Sequence, residues 1–239
     1  MKSNNASGTA PQYRWVICVT LLLIAIFCLY QLVVPPIVGQ SNTGDYWRIM
    51  VASGLDWSGP VPPSTLFLVR EFKDTSPRFV GDGNPDSEPY LSSEILLIWI
   101  AKVINGIFNK ANTFDLVSLG IVQTLIYTAG IAVILVACSK ILRFAPFVLL
   151  CVLVLLISTD VGYVAYFNSV YPESASMIFG IYTIGFALMA SIAKRATPWS
   201  FGLCIVSGLW LIAKTANVVL IVPIVFFAIV LFRARLNTS

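Results

Sequence analysis

The chain has 239 residues, 58% of them hydrophobic and only 11% charged, where a soluble domain carries about 25% charge. Several runs reach or approach ~18 apolar residues, the signature of a polytopic membrane protein. The net charge of +4 forms no basic stripe, which argues against nucleic acid as a partner, and the lack of any histidine excludes imidazole metal sites and histidine general bases.

The polar tail, residues 1–14, leads into a first apolar run, Trp15–Val34, that stops at Pro35-Pro36. At about 20 residues this run is longer than the 7–15 of a secretory signal core, and no clean small-x-small site follows, so it reads as an uncleaved span. Residues 35–115 form a long first loop. A connection of that length is uncommon unless it has a task. Within it, Tyr46–Leu55 reads as a short surface helix, and Ser93–Phe108 as an apolar helix interrupted by Glu94, Lys102 and Asn105. Five further apolar runs fill 116–235: Leu116–Ala137, Leu142–Ser158, Ala175–Ala193, Pro198–Ala213 and Ala216–Phe232. The five cysteines lie in or beside apolar runs with no CxxC spacing, and read as small apolar residues.

Charge placement decides between two topologies. If Ser93–Phe108 crosses the membrane, Lys140 and Arg143 fall outside. If it lies along the outer surface, Lys2, Arg14, Lys140, Arg143, Lys194, Arg195, Arg233 and Arg235 all fall on the cytoplasmic side, as the positive-inside rule prefers. The expected fold is therefore an all-α single domain of six transmembrane helices, with an outer juxtamembrane helix over 93–108 and both termini cytoplasmic. A seven-span arrangement is the alternative. No internal repeat is visible.

In the six-span topology the outer face gathers Asp45 and Arg48 from the first loop. It also gathers Asp160, Tyr166, Asn168, Tyr171 and Glu173 from the turn 160–176, and Lys214 from a very short third loop. Ionisable groups near membrane depth are expensive and default to function. Asp45 has the chemistry of a general base toward an acceptor hydroxyl, or it caps the helix that starts at Tyr46. Lys214 suits a phosphate as a point charge, or it anchors a helix end. Glu173 follows Pro172, where an acid complements the helix dipole. Tyr166, Tyr171 and Asn168 suit sugar hydroxyls, and the tyrosines equally suit an interfacial belt. Asp160 and Glu173 orient an acceptor or hold a divalent cation through oxygen; no local Asp-x-Asp pair supports a metal, and that point stays open. Lys102 and Lys110 read as snorkelling to headgroups.

These stretches resemble the GT-C fold glycosyltransferases, polytopic enzymes that use polyprenyl-phosphate-linked sugars. Gly44-Asp45-x-x-Arg48 after an outward first span is similar to the start of that family, and Tyr90–Glu94 before an apolar helix is similar to its juxtamembrane elements. Tyr166–Glu173 resembles an FNSFYxEP-type motif, and Ala213-Lys214-Thr215-Ala216-Asn217 an SKxQN element. The resemblance implies an outward-facing inverting transfer, with Asp45 as catalytic base, Asp160 and Glu173 near donor phosphate or acceptor, and Lys214 at the donor phosphate. Family members run to about twice this length. The chain is thus expected to be an N-terminal module, a split copy whose C-terminal half is a separate chain, or a degenerate copy.

Two functions follow. One is transfer of a sugar from a polyprenyl-phosphate carrier to a lipid or polymer acceptor on the outer face of a bacterial inner membrane. The alternative is a non-catalytic accessory subunit that scaffolds a larger membrane complex. A channel or transporter fits poorly, because the middles of the spans carry almost no charge.

Overall fold

The computed structural model describes residues 10–40, 46–57, 70–74, 91–108, 113–193 and 195–236, and side chains as far as residue 230 apart from 228. Helix α1, Pro11–Val33, starts four residues before the apolar run does. Pro11 sits in its first turn, where a missing N–H costs nothing. Its 23 residues give about 34 Å, enough to cross a hydrocarbon core of about 30 Å. Helix α2, Tyr46–Ala52, ends where Gly54 takes a positive φ of 69°, a conformation glycine adopts without strain. Helix α3, Glu94–Phe108, has 15 residues, about 22 Å. Helices α4 (Leu116–Cys138), α5 (Phe144–Ser158), α6 (Val161–Val164), α7 (Pro172–Ile192), α8 (Thr197–Ala213) and α9 (Ile221–Leu236) follow.

The expectation of a wholly α-helical chain is corrected here. Strands β1 (Leu55–Trp57), β2 (Glu71–Asp74) and β3 (Thr113–Asp115) form an antiparallel sheet in the order β1-β2-β3. The registers pair Leu55 with Asp74, and Phe72 with Phe114. Phe72 and Phe114 are fully buried, so this small sheet has its own apolar side. Arg70 and Asp115 close its edge with a forked ion pair at 2.8 and 3.1 Å.

Helices α1 and α5 run parallel, as the contacts at their ends show, and α4, whose start at Gly120 lies against Leu32 at the end of α1, runs antiparallel to both. The Tyr13 hydroxyl near the start of α1 donates to Leu142 O before α5 at 3.2 Å, and Gln31 near the end of α1 donates to Thr159 O after α5 at 3.0 Å. One end of the bundle therefore collects the end of α1, the starts of α4 and α7, and the ends of α5 and α8. Helices α2 and α3 and the sheet lie at that same end. Helix α3 does not run alongside α4. Asn105 meets Ser118, and Glu94 meets Gln123. About 16 Å of α3 thus spans only about 8 Å of α4, so α3 lies obliquely across the bundle's end.

Among the described residues three helices, α1, α4 and α7, are long and apolar enough to cross a membrane. A fourth span exists if α5 and Val161–Asn168, bent by 53°, count as one. Helix α8 and the segment Thr215–Phe227 are apolar but shorter. The last apolar run begins as a 3-10 turn, Thr215–Leu220, rather than as α-helix. The Asn217 amide draws that turn inward by donating to Trp210 O at 2.8 Å.

The core runs between α1, α4, α5 and α7 through Ile24, Leu32, Leu119, Leu135, Phe147, Phe167 and Ile178. The outward faces of α1 and α5 stay apolar and exposed, Leu22 and Leu156 among them, as lipid-facing surfaces are. Gly202 packs against the Phe186 ring, 2.7 Å from where a Cβ would stand, whereas Gly208 has nothing within 4 Å. Only the first of these two is a packing glycine.

Candidate functional site

Glu94 opens α3 and is fully buried. An isolated carboxylate in such a place is costly, and its surroundings supply donors from two other helices. Gln123 Nε2 of α4 donates to Oε1 at 2.5 Å, while the Ser174 hydroxyl at 2.6 Å and the Ala175 N–H at 3.1 Å, both of α7, donate to Oε2. The Ser92 hydroxyl receives the Glu94 N–H at 3.2 Å and donates to Ala213 O, the last residue of α8, at 2.7 Å. Four elements meet at this node. Burial pushes the Glu94 carboxyl up to about 8; the three donors act against that shift, and the nearby charge of Glu173 acts with it.

One residue along α7, Glu173 pairs with Lys214, which follows α8. Its second oxygen, Oε2, is buried without a hydrogen-bond partner among the described residues. Asn217 Nδ2 reaches Ser176 Oγ at 2.8 Å, so the turn after α8 is tied to α7 twice. Aromatic rings complete this corner: Tyr46 lies edge-on to Tyr171 at 5.4 Å, and Tyr171 to Tyr166 at 6.2 Å. Burial, then the neighbouring Tyr171, push the Tyr46 phenol far up, so it stays protonated.

Below this corner a cavity of about 380 Å³ opens between α4, α5, α7 and α8. Glu173, Ser176, Gly180 and Ile184 follow one another at helical spacing, so the same face of α7 carries the acid one turn beyond Ser176 and the apolar lining after it. Trp210, Tyr127, Ile157 and Tyr163 supply the other walls. Gly180 leaves room for the Trp210 ring, which would stand 3.0 Å from a Cβ there. The result is an amphiphilic groove along α7, apolar and aromatic in its lining, with the Glu173–Lys214 pair one helical turn beyond Ser176.

The residues expected at the site are distributed as follows. Glu173, Lys214, Tyr166 and Tyr171 share the corner just described. Asp160 is exposed and caps α6, accepting the Gly162 N–H at 2.8 Å. Asn168 is buried, and its amide donates to Leu32 O at 2.9 Å and Val38 O at 3.1 Å, holding the exit of α1. Arg48 is exposed on α2. Asp45 lies outside the described residues, although the chain joins it directly to Tyr46. Lys102 does not snorkel. Its ammonium donates to Ser53 O at 2.7 Å, Gly54 O at 3.3 Å and Asp74 Oδ1 at 2.8 Å, which fastens α3 to the sheet. Lys110 lies outside the described residues. Among the described residues no three acids or cysteines converge as a metal-holding group.

Sequence reasoning missed Glu94 and Gln123 as parts of this region. The signal was present: an acid in an apolar helix at a membrane surface is expensive. On that argument the sequence points to Asp45, Arg48, Asp160, Glu173 and Lys214, and Glu94 belongs with them.

The family of YfdI N-terminal transmembrane domains matches residues 4–238. The chain belongs to that family. It is a membrane protein, and nearly its whole length is the family's transmembrane domain. No curated protein and no solved structure matches it.

Proposed function

We propose that the chain is the membrane module of a glycosyltransferase-like enzyme that moves a sugar from a polyprenyl-phosphate carrier to a lipid or polymer acceptor. The observation that carries this reading is the amphiphilic groove along α7. An isoprenoid chain is a flexible hydrocarbon and suits the lining from Ser176 to Ile184. Its phosphate suits the mouth, where Lys214 supplies the cation and the first turn of α7 a positive dipole end. In this reading the bundle crosses the membrane six times with α3 along the outer interface, both termini are cytoplasmic, and the site faces away from the cytoplasm in a bacterial inner membrane. Asp45 is the base that takes the acceptor hydroxyl's proton as the phosphate leaves the anomeric carbon, and Tyr46 seats that segment against Tyr171. Arg48 and Tyr166 belong to the sugar side, and Asp160 to the acceptor side. A further C-terminal region, in the same or a partner chain, completes the acceptor site.

The test is binding followed by transfer. The protein in nanodiscs is loaded with a polyprenyl phosphate, and native mass spectrometry counts the retained lipid. Wild type retains it, and Lys214→Gln retains at least about tenfold less, the loss of one charge-assisted contact of about 1.5–3 kcal/mol. Asp45→Asn binds like wild type but transfers no sugar. Equal retention by Lys214→Gln would remove the phosphate site from this groove.

A second reading has its own observation. Helix α9 meets the rest of the bundle chiefly through its leading 3-10 turn, and leaves Val222, Val225 and Phe226 exposed. That apolar edge suits an accessory subunit docking on a partner membrane protein. Copurification of a stoichiometric membrane partner without bound lipid favours it over the enzyme.

A further inference from the structure

The first turn of α7 holds two consecutive residues that face different partners. Glu173 turns to Lys214, and Ser174 turns to Glu94. The two carboxylates are thus held by neighbouring positions in the first turn of α7, and Lys214 pairs with Glu173. Counted as ionised groups among the described residues, Glu94, Glu173 and Lys214 carry one more negative charge than positive before any ligand arrives. An incoming phosphate adds another. Charge of one sign collected in a poorly solvated place is relieved most simply by protonating the most buried acid.

We propose that Glu94 is the positioning residue of the Lys214 site, and that its carboxyl takes up a proton when an anionic phosphate headgroup binds there. This rests on the reading of the groove as a phosphate-lipid site. Glu94 touches neither the lysine nor the groove. It acts through Ser174 and the Ala175 N–H, which fix the first turn of α7 and so the direction of Glu173.

Two observations support the coupling. Glu173 Oε2 is buried with no hydrogen-bond partner among the described residues, so the Glu173–Lys214 pair is incompletely satisfied and open to exchange with a better anion. Gln123 Oε1, beside Glu94, is also buried without a partner. An amide able to present either its oxygen or its nitrogen to Glu94 suits both the acid and its anion.

The other titratable groups on elements packed against α3 do not compete. On α4 the facing group is the uncharged Gln123 amide. On α2 it is Tyr46, kept protonated by burial; Arg48 there is exposed. Asp115 of β3 lies at the far end of α3, near Asn105, and is paired with Arg70. Lys102 on α3 itself is engaged by Asp74.

The probe is farnesyl methyl phosphate, a diester whose single charge does not titrate. Titration calorimetry on the full chain in nanodiscs, run at pH 8 in two buffers of different ionisation enthalpy, reads the protons taken up per ligand bound. Uptake of about half a proton per ligand is expected in wild type at pH 8, rising towards one as the pH is raised, with affinity falling about tenfold per pH unit well above pH 8 by linkage. Glu94→Gln binds without proton uptake and without that pH dependence, while Glu94→Asp, which still titrates, keeps both. Binding with no proton uptake in wild type overturns the inference and leaves the groove reading intact; this arm needs no variant to fold. Failure of the probe to bind wild type at any pH sinks the groove reading and the inference with it.

Discussion

Replacing Lys102 with methionine removes one charge and keeps most of the side chain's apolar length. If the lysine merely snorkelled to headgroups, the change would be near neutral. Here its ammonium is mostly buried, 14% exposed, and holds two carbonyls and the Asp74 carboxylate. Losing a charge-assisted hydrogen bond costs about 1.5–3 kcal/mol. Removing one partner of a fully buried pair costs about 3–5 kcal/mol. Asp74 is 30% exposed, so solvent screens part of the penalty and about 2–3 kcal/mol is the expected cost. That cost falls on the docking of α3 to the β1–β2 unit and not on the membrane bundle. Amide hydrogen exchange with peptide-level mass analysis reads it locally. Protection across 53–57 and 71–74 should fall on the order of 100-fold in Lys102→Met, because each 1.4 kcal/mol is about a factor of ten. Protection in α4 should not change. Unchanged protection in both strands would refute the fastening role of Lys102 and return it to the membrane interface.

Other outcomes follow from single contacts. Glu94 titrates near 8 in the folded chain and near about 4.3 when unfolded. The folded state therefore holds a proton that the unfolded state releases between those values. The resulting stabilisation is full at low pH and is lost as pH rises through 8. Thermal midpoints of wild type should fall from pH 5 to 9, by up to several kcal/mol in stability, while those of Glu94→Gln stay level; a level wild-type profile would contradict the buried acid. Gly120→Ala places a Cβ 2.4 Å from Asn168 Oδ1 and should destabilise by about 1–3 kcal/mol, seen as a lower melting temperature with looser exchange protection at the exit of α1. Ile184→Trp adds volume at a half-exposed groove position. It should leave the melting temperature unchanged and lower retained polyprenyl phosphate, with native mass spectrometry as the readout; unchanged retention would exclude the groove as the lipid's seat.

The apolar runs determined the helices by themselves. A segment such as Leu116–Cys138 has no alternative in a bilayer, because every backbone N–H and C=O must be satisfied within it. The turn 166–173 and the lysine after α8 were legible too, since polar groups so near membrane depth stand out against the runs around them. The sheet was not legible. Its strands have three or four residues each and pair across long gaps, so no local alternation announces them. Nor could the sequence say that Asn168 holds the end of α1, or that Lys102 faces a strand and not a headgroup. The Glu94 node was decided later still. Glu94 lies 29 residues from Gln123 and 80 from Ser174. Only folding brings α3 across the starts of α4 and α7, and an acid becomes a node when donors from distant helices surround it after water has gone.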